Sequence, residues 1–207
     1  MASIVQVNMV NDRLLQVRKA ASRYFTNPVV QILARTPVTP SAITWFGFAL
    51  AVAAAVLIAM GHLLIAGVMV LVAGFFDMLD GALARRTNRV THFGALLDST
   101  LDRLAEGGLL LAILFLFAKE GSTIGVLLAG GVLIASLLVS YIRARAEALG
   151  LECTVGLFTR PERVIVLALG LLLGGLEIAL SIIAALSLLT VGQRLVYVWH
   201  QVKDKKF

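Results

Sequence analysis

Four aspartates carry the chemistry of this sequence: Asp77, Asp80, Asp98 and Asp102. Asp77 and Asp80 are three residues apart, and Asp98 and Asp102 are four apart. On helices, each pair shares a face. Carboxylate oxygens suit hard cations, and several carboxylates in register suit a two-metal site. Magnesium is usually held by a few carboxylates together with substrate phosphates, so the implied substrate is a diphosphate. The competing reading is a structural ion-pair network with Arg85, Arg86, Arg89 and Arg103, which leaves so many aspartates in register unexplained. Gly81 directly follows Asp80, and Gly94 lies one turn before Asp98. Each offers bare backbone where a ligand can meet a helix, although helix glycines also serve as packing contacts between spans.

The elements that must position these residues are membrane helices. Of 207 residues, 59% are hydrophobic and only 14% charged, against about 25% charged in a soluble domain. The mean hydropathy is +0.94. The net charge of +6 reads as membrane topology rather than nucleic-acid binding. No charged residue falls between Thr36 and Phe76, a run of 41 positions, enough for two spans of about 20 residues each. Gly61-His62 is the natural break, and Thr39-Pro40 reads as a helix N-cap with proline in the first turn. The spacing predicts spans at 41–60, 63–86, 94–118, 121–142, 164–176 and 178–193, with a hairpin at Gly174-Gly175-Leu176-Glu177. Before them, Val10, Leu14, Val17, Ala21 and Tyr24 recur at helical spacing among Arg13, Arg18, Lys19 and Arg23. That pattern suits a helix lying in the interface. The expectation is an all-α integral membrane protein: an amphipathic segment over 1–36, six transmembrane helices over 37–200, and a basic tail over 201–207.

Charge orients the chain. Arg13, Arg18, Lys19, Arg23 and Arg35 precede span one; Arg85, Arg86 and Arg89 follow span two. Arg143, Arg145, Arg160 and Arg163 surround the connection between spans four and five, and Arg194, Lys203, Lys205 and Lys206 follow span six. The opposite side receives Lys119 alone. The positive-inside rule then places both termini in the cytoplasm of a multi-pass cell-membrane protein. Asp77 falls in the last turns of span two and Asp98 in the first turns of span three, so the four aspartates gather near the cytoplasmic surface. A charge at mid-bilayer costs about 2.5–3.5 kcal/mol on insertion scales, which favours gathering around cations or water. Crowding at one end argues against a cation transporter, whose acidic groups would be spread through the membrane depth. Cys153, the single cysteine, reads as a packing residue.

The run Asp77-Met78-Leu79-Asp80-Gly81-Ala82-Leu83-Ala84-Arg85, then eight residues, then Gly94-Ala95-Leu96-Leu97-Asp98-Ser99-Thr100-Leu101-Asp102 resembles the complete signature of the CDP-alcohol phosphotransferase family. The resemblance implies a six-helix homodimer in the bilayer, with a polar cavity open to the cytoplasm. It implies two divalent ions, Mg2+ or Mn2+, on Asp77, Asp80, Asp98 and Asp102, with Asp102 also the general base. It assigns the CDP moiety of a CDP-linked lipid donor to Gly81, Ala84, Arg85, Gly94 and Thr44. The implied reaction moves a phosphatidyl group from CDP-diacylglycerol to a small polar alcohol and releases CMP, a step of phospholipid biosynthesis.

Beyond the signature, Ser140-Tyr141-Ile142-Arg143-Ala144-Arg145-Ala146-Glu147 and Pro161-Glu162-Arg163 resemble segments of phosphatidylinositol phosphate synthases. This implies inositol 1-phosphate as acceptor, its phosphate held by Ser140, Arg143 and Arg163, with Arg145 and Arg160 as further candidates. Arginines at a cavity mouth suit phosphate through paired hydrogen bonds; obedience to the positive-inside rule is the alternative. Glu106 and Ser41 depart from the pattern of that subfamily. Glycerol phosphate as acceptor, giving a phosphatidylglycerol phosphate synthase, and an archaetidyl donor, giving an archaetidylinositol phosphate synthase, remain the alternatives.

Overall fold

The structure, a computed structural model, describes residues 26–204. Most of the expected interfacial helix and the end of the basic tail lie outside the described residues. A helical segment over 26–33 leads into six helices: α1 (Pro40–Ala59), α2 (Leu63–Arg86), α3 (His92–Lys119), α4 (Thr123–Ala148), α5 (Arg160–Leu173) and α6 (Leu176–Asp204). No strand occurs among the described residues.

The helix ends follow local chemistry. Thr39 Oγ1 accepts from the Ala42 N–H at 3.3 Å, with Pro40 opening α1. Thr91 caps α3 by accepting from Gly94 N at 3.0 Å, and Ser122 caps α4 by accepting from Gly125 N at 3.1 Å. Gly174 ends α5 at φ +71°, the left-handed conformation in which glycine carries no steric cost. The expected hairpin is therefore present. Helices α4 and α6 run past their expected ends at 142 and 193, because hydropathy marks where lipid stops and not where the helix does. In α4 the extension holds an Arg143–Glu147 pair at 2.8 Å, one turn apart.

The long helices form an antiparallel bundle. Helix α1 packs on α2 and α3, α3 on α4, α4 on α6, α2 on α5, and α5 on α6. Ser122 Oγ donates to Glu177 Oε1 at 3.0 Å, so the α3–α4 and α5–α6 turns share one end. The core is built of apolar side chains such as Ile58, Ile113, Leu171, Leu180 and Ile183. Nearer the other end, Ala51, Ala73 and Ala105 meet, and their small size lets α1, α2 and α3 approach closely. The outer faces expose Leu104, Leu111, Phe115, Leu127 and Ile134, as expected of surfaces turned to lipid.

Among the described residues, four helices are long and apolar enough to cross a membrane: α1, α2, α4 and α6. The other two miss those limits for separate reasons. Asp98, Asp102, Arg103 and Glu106 interrupt the apolar character of α3, and α5 has only 14 residues. The fold is thus an all-α multi-pass membrane protein.

Candidate active site

Three helices bring the signature residues together. Asp77 and Asp80 lie on α2, Asp98 and Asp102 on α3, and the start of α5 closes over them. Oxygens of Asp77, Asp98 and Asp102 lie within 4.8 Å of one another. Like charges at that distance repel by on the order of 3 kcal/mol per pair at an effective dielectric of about 20, so the cluster needs positive charge. Arg160 Nη1 supplies some, donating to Asp77 Oδ2 at 2.6 Å and standing 2.7 Å from Asp102 Oδ1. Arg103 is more distant, at 4.0 Å from Asp102 Oδ2, and donates to Ser99 O at 2.5 Å on its own helix.

Asp80 stands outside the three-carboxylate group. It is 3% exposed; its Oδ1 accepts from Gly81 N at 2.5 Å, and its Oδ2 is buried with no hydrogen-bond partner. A buried carboxylate oxygen without a donor is costly unless a cation or water completes it. The donor set, all carboxylate oxygen, fits hard divalent ions.

The four aspartates line two spaces, with Thr44 common to both. One is a cleft of about 470 Å³ lined by Asp80 and Asp98 together with Thr44, Gly81, Ala84, Arg85 and Gly94. All five residues assigned to the nucleotide by resemblance thus meet in one place. Ser41, Arg89 and Thr91 line it too. The other is a cavity of about 50 Å³, lined mostly by apolar side chains, to which Asp77, Asp102, Glu106, Arg160 and Arg163 contribute the charged groups. A Cβ placed on Gly81 would lie 3.3 Å from Arg85 Nη1.

The candidate acceptor residues are divided. Arg163, 2% exposed, pairs with Glu106 through Nε and Nη2 at 2.6 and 2.8 Å. Its Nη1 is buried without a partner. Arg143 and Arg145 are exposed on α4. Ser140 lines a separate groove between α3 and α4 with Ser99, Thr100, Arg103 and Tyr141. The structure therefore brings Arg160 and Arg163 to the aspartates and leaves Ser140, Arg143 and Arg145 apart from them.

Two positions carry more than the sequence reading gave them. Glu106, noted there only as a departure, is the partner of Arg163. Arg194, counted there only as topology charge, is 3% exposed and donates to the carbonyls of Val155, at 3.0 Å, and Val139. Thr190 Oγ1 and Gln193 Oε1 accept from Phe158 N and Leu157 N, each at 3.2 Å, and Gln201 donates to Glu152 O at 2.7 Å. Helix α6 thereby fastens the segment between α4 and α5. The signal was present in the sequence: Thr190, Gln193, Arg194 and Gln201 share helical spacing in an apolar run. Cys153 is fully buried beside Ala146 and Leu151, as a packing residue should be.

Comparison with known proteins gives a consistent result. The family model for CDP-alcohol phosphatidyltransferase matches residues 37–199. The archaetidylinositol phosphate synthase of Methanothermobacter thermautotrophicus is 39% identical over 200 residues, covering 94% of this chain and 98% of that protein. The phosphatidylinositol phosphate synthase of Mycobacteroides abscessus is 41% identical over 179 residues, covering 82% of this chain and 81% of that protein. The phosphatidylinositol phosphate synthase of Mycobacterium tuberculosis, solved with CDP-DAG bound and also with manganese and citrate, has a similar fold. Both solved forms have a TM-score of 0.76 at 35% identity over 84% of this chain, covering 93% and 88% of the solved chains.

Proposed function

Because the chain belongs to the CDP-alcohol phosphatidyltransferase family, we propose that it transfers the phosphatidyl group of a CDP-linked lipid to inositol 1-phosphate and releases CMP. The observation that carries this reading is the pair of spaces that the aspartates line. One is the cleft with Gly81, Ala84 and Arg85, and the other is the cavity with Arg160 and Arg163. The cytidine end of the donor occupies the cleft. The acceptor phosphate meets Arg163, whose buried Nη1 has a free N–H. Arg160, Arg143, Arg145 and Ser140 are the further candidates for that phosphate, the last three only by resemblance.

Asp77, Asp80, Asp98 and Asp102 would hold two divalent ions, Mg2+ or Mn2+; the partnerless Oδ2 of Asp80 supports including Asp80. Such ions supply positive charge that offsets the charge developing on the departing CMP. Asp102 removes the proton from the acceptor hydroxyl. That oxygen bonds to the phosphorus bearing the lipid as the bond from this phosphorus to the CMP oxygen breaks. A carboxylate is a weak base toward an alcohol, so positioning and electrostatics provide most of the barrier lowering. An archaetidyl donor is the second reading, favoured by the similarity to an archaetidylinositol phosphate synthase along nearly the whole chain.

The test is CMP release from CDP-diacylglycerol and from CDP-archaeol, with inositol 1-phosphate, inositol, glycerol 3-phosphate and serine as acceptors. Inositol 1-phosphate is expected to be used far better than the others. Equal use of inositol or glycerol 3-phosphate would overturn the acceptor assignment. A second expected result is that Gly81→Leu keeps the helix but weakens CDP-lipid binding. Overpacking of about 1–3 kcal/mol corresponds to roughly five- to 150-fold in Kd. Calorimetric titration with CDP-diacylglycerol checks this; unchanged affinity would make Gly81 a packing residue only.

Six crossings and cytoplasmic termini belong to the same reading, supported by the arginine asymmetry and the shared end of the α3–α4 and α5–α6 turns; a homodimer belongs to it by family resemblance alone. With Cys153 replaced, a cysteine at position 177 is expected to react with impermeant maleimide from the outside of intact cells. Reaction only from the cytoplasmic side would refute the topology.

A further inference from the structure

The carboxylate cluster already contains a cation. Arg160 Nη1 lies between Asp77 Oδ2 and Asp102 Oδ1, at 2.6 and 2.7 Å, and those residues supply two of the three carboxylates gathered within 4.8 Å. The Nε of the same guanidinium is buried and has no partner. The backbone that bears it is held firmly. Thr159 N and Thr159 Oγ1 both donate to Glu162 Oε2, at 2.8 and 2.6 Å, and Pro161 fixes the first turn.

A carboxylate oxygen accepts an N–H and coordinates a hard cation through the same lone pairs. Arg160 and a divalent ion on Asp77 and Asp102 therefore compete for the same carboxylates. We infer that Arg160 is a stand-in counter-ion, which neutralises Asp77 and Asp102 and is displaced from them when a divalent ion binds. Displacement frees a guanidinium beside the small cavity, where its donors face the place assigned to an acceptor phosphate. Loading of the cation and readiness for the anion are then linked, and linkage of this kind is reciprocal. The inference rests on the reading that the aspartates take divalent ions. Arg160 acts here on the cation site, through Asp77 and Asp102, and not on the reacting atoms.

Two measurements on purified protein test it, neither of them turnover. The first is Mn2+ binding followed by electron paramagnetic resonance. Arg160→Gln removes the competitor and is expected to tighten Mn2+ binding about tenfold, the effect of one charge-assisted hydrogen bond. A purely structural role predicts the reverse, because misplaced carboxylates bind a cation more weakly. The second needs no variant: phenylglyoxal modification of Arg160 in the wild-type protein, quantified by peptide mass spectrometry. Mn2+ is expected to raise its rate severalfold as the ion pair opens. Unchanged or weaker Mn2+ affinity in Arg160→Gln, or Arg160 reactivity unaffected by Mn2+, overturns the displacement while the metal reading stands. Failure of the wild type to bind Mn2+ at all removes both.

Discussion

Asp102→Asn is expected to cut phosphatidyl transfer by about a thousandfold while the protein still folds and binds its CDP-lipid. General-base contributions run at about 10²–10⁴, and Asn cannot take the proton of the acceptor hydroxyl. The substitution keeps the side-chain volume and one ligating oxygen, so the helix packing around Leu101 and Ala105 should survive. Asp102 lines the small cavity rather than the nucleotide cleft, and donor affinity should change little. CMP release at saturating donor and acceptor measures the loss. Titration with CDP-diacylglycerol and thermal melting in detergent measure what remains. Turnover near that of the wild type would show that another group takes the proton.

Arg163→Ala is expected to have two effects, one on stability and one on the acceptor. Arg163 and Glu106 form a two-bond pair at 2.6 and 2.8 Å, with side chains 2% and 11% exposed. Truncating one partner strands the other charge, which costs about 3–5 kcal/mol in buried pairs. The folded fraction should also show an increase in KM for inositol 1-phosphate of roughly ten- to 150-fold, for a lost charge-assisted hydrogen bond. If that bond is equally strong in ground and transition states, kcat changes little. The double variant Arg163→Met with Glu106→Leu separates the two effects: it should regain most of the melting temperature and none of the acceptor affinity. An arginine serving only membrane topology would change neither quantity.

Much of this was legible because helices translate spacing into geometry. The i, i+4 pair Asp98 and Asp102, the break at Gly61-His62 and the hairpin at Gly174 all depend on local sequence, and the structure has them where expected. The pairs that dress the site could not be read the same way. Arg160 meets Asp77 across 83 residues and Arg163 meets Glu106 across 57, and no periodicity connects such positions. Counting arginines as topology charges concealed Arg194, which is buried and bonded. The place of Asp80 was also hidden. Three residues along a helix turn the side chain by about 60° from the starting direction, enough for Asp80 to point to the cleft while Asp77 points to the cavity. Hydropathy, finally, measured lipid contact and so ended α4 and α6 too early.

The brevity of α5 has a kinetic consequence. Its 14 residues reach about 21 Å at roughly 1.5 Å per residue, some 9 Å less than a hydrocarbon layer of about 30 Å. Its Gly174 end is level with the Ser122–Glu177 contact, so the shortfall lies at the Arg160 end, above the aspartates. In the proposed six-crossing topology, the bilayer thins around this helix or water enters below the headgroups. In that topology the proposed water-soluble acceptor reaches the phosphorus without crossing hydrocarbon, and the CDP-lipid donor stays in its leaflet. One reactant arrives by diffusion in three dimensions and the other in two. In mixed micelles, the rate should therefore follow the surface mole fraction of the CDP-lipid, not its bulk concentration, and diluting the donor with inert detergent should slow the enzyme even when the total amount of donor is unchanged.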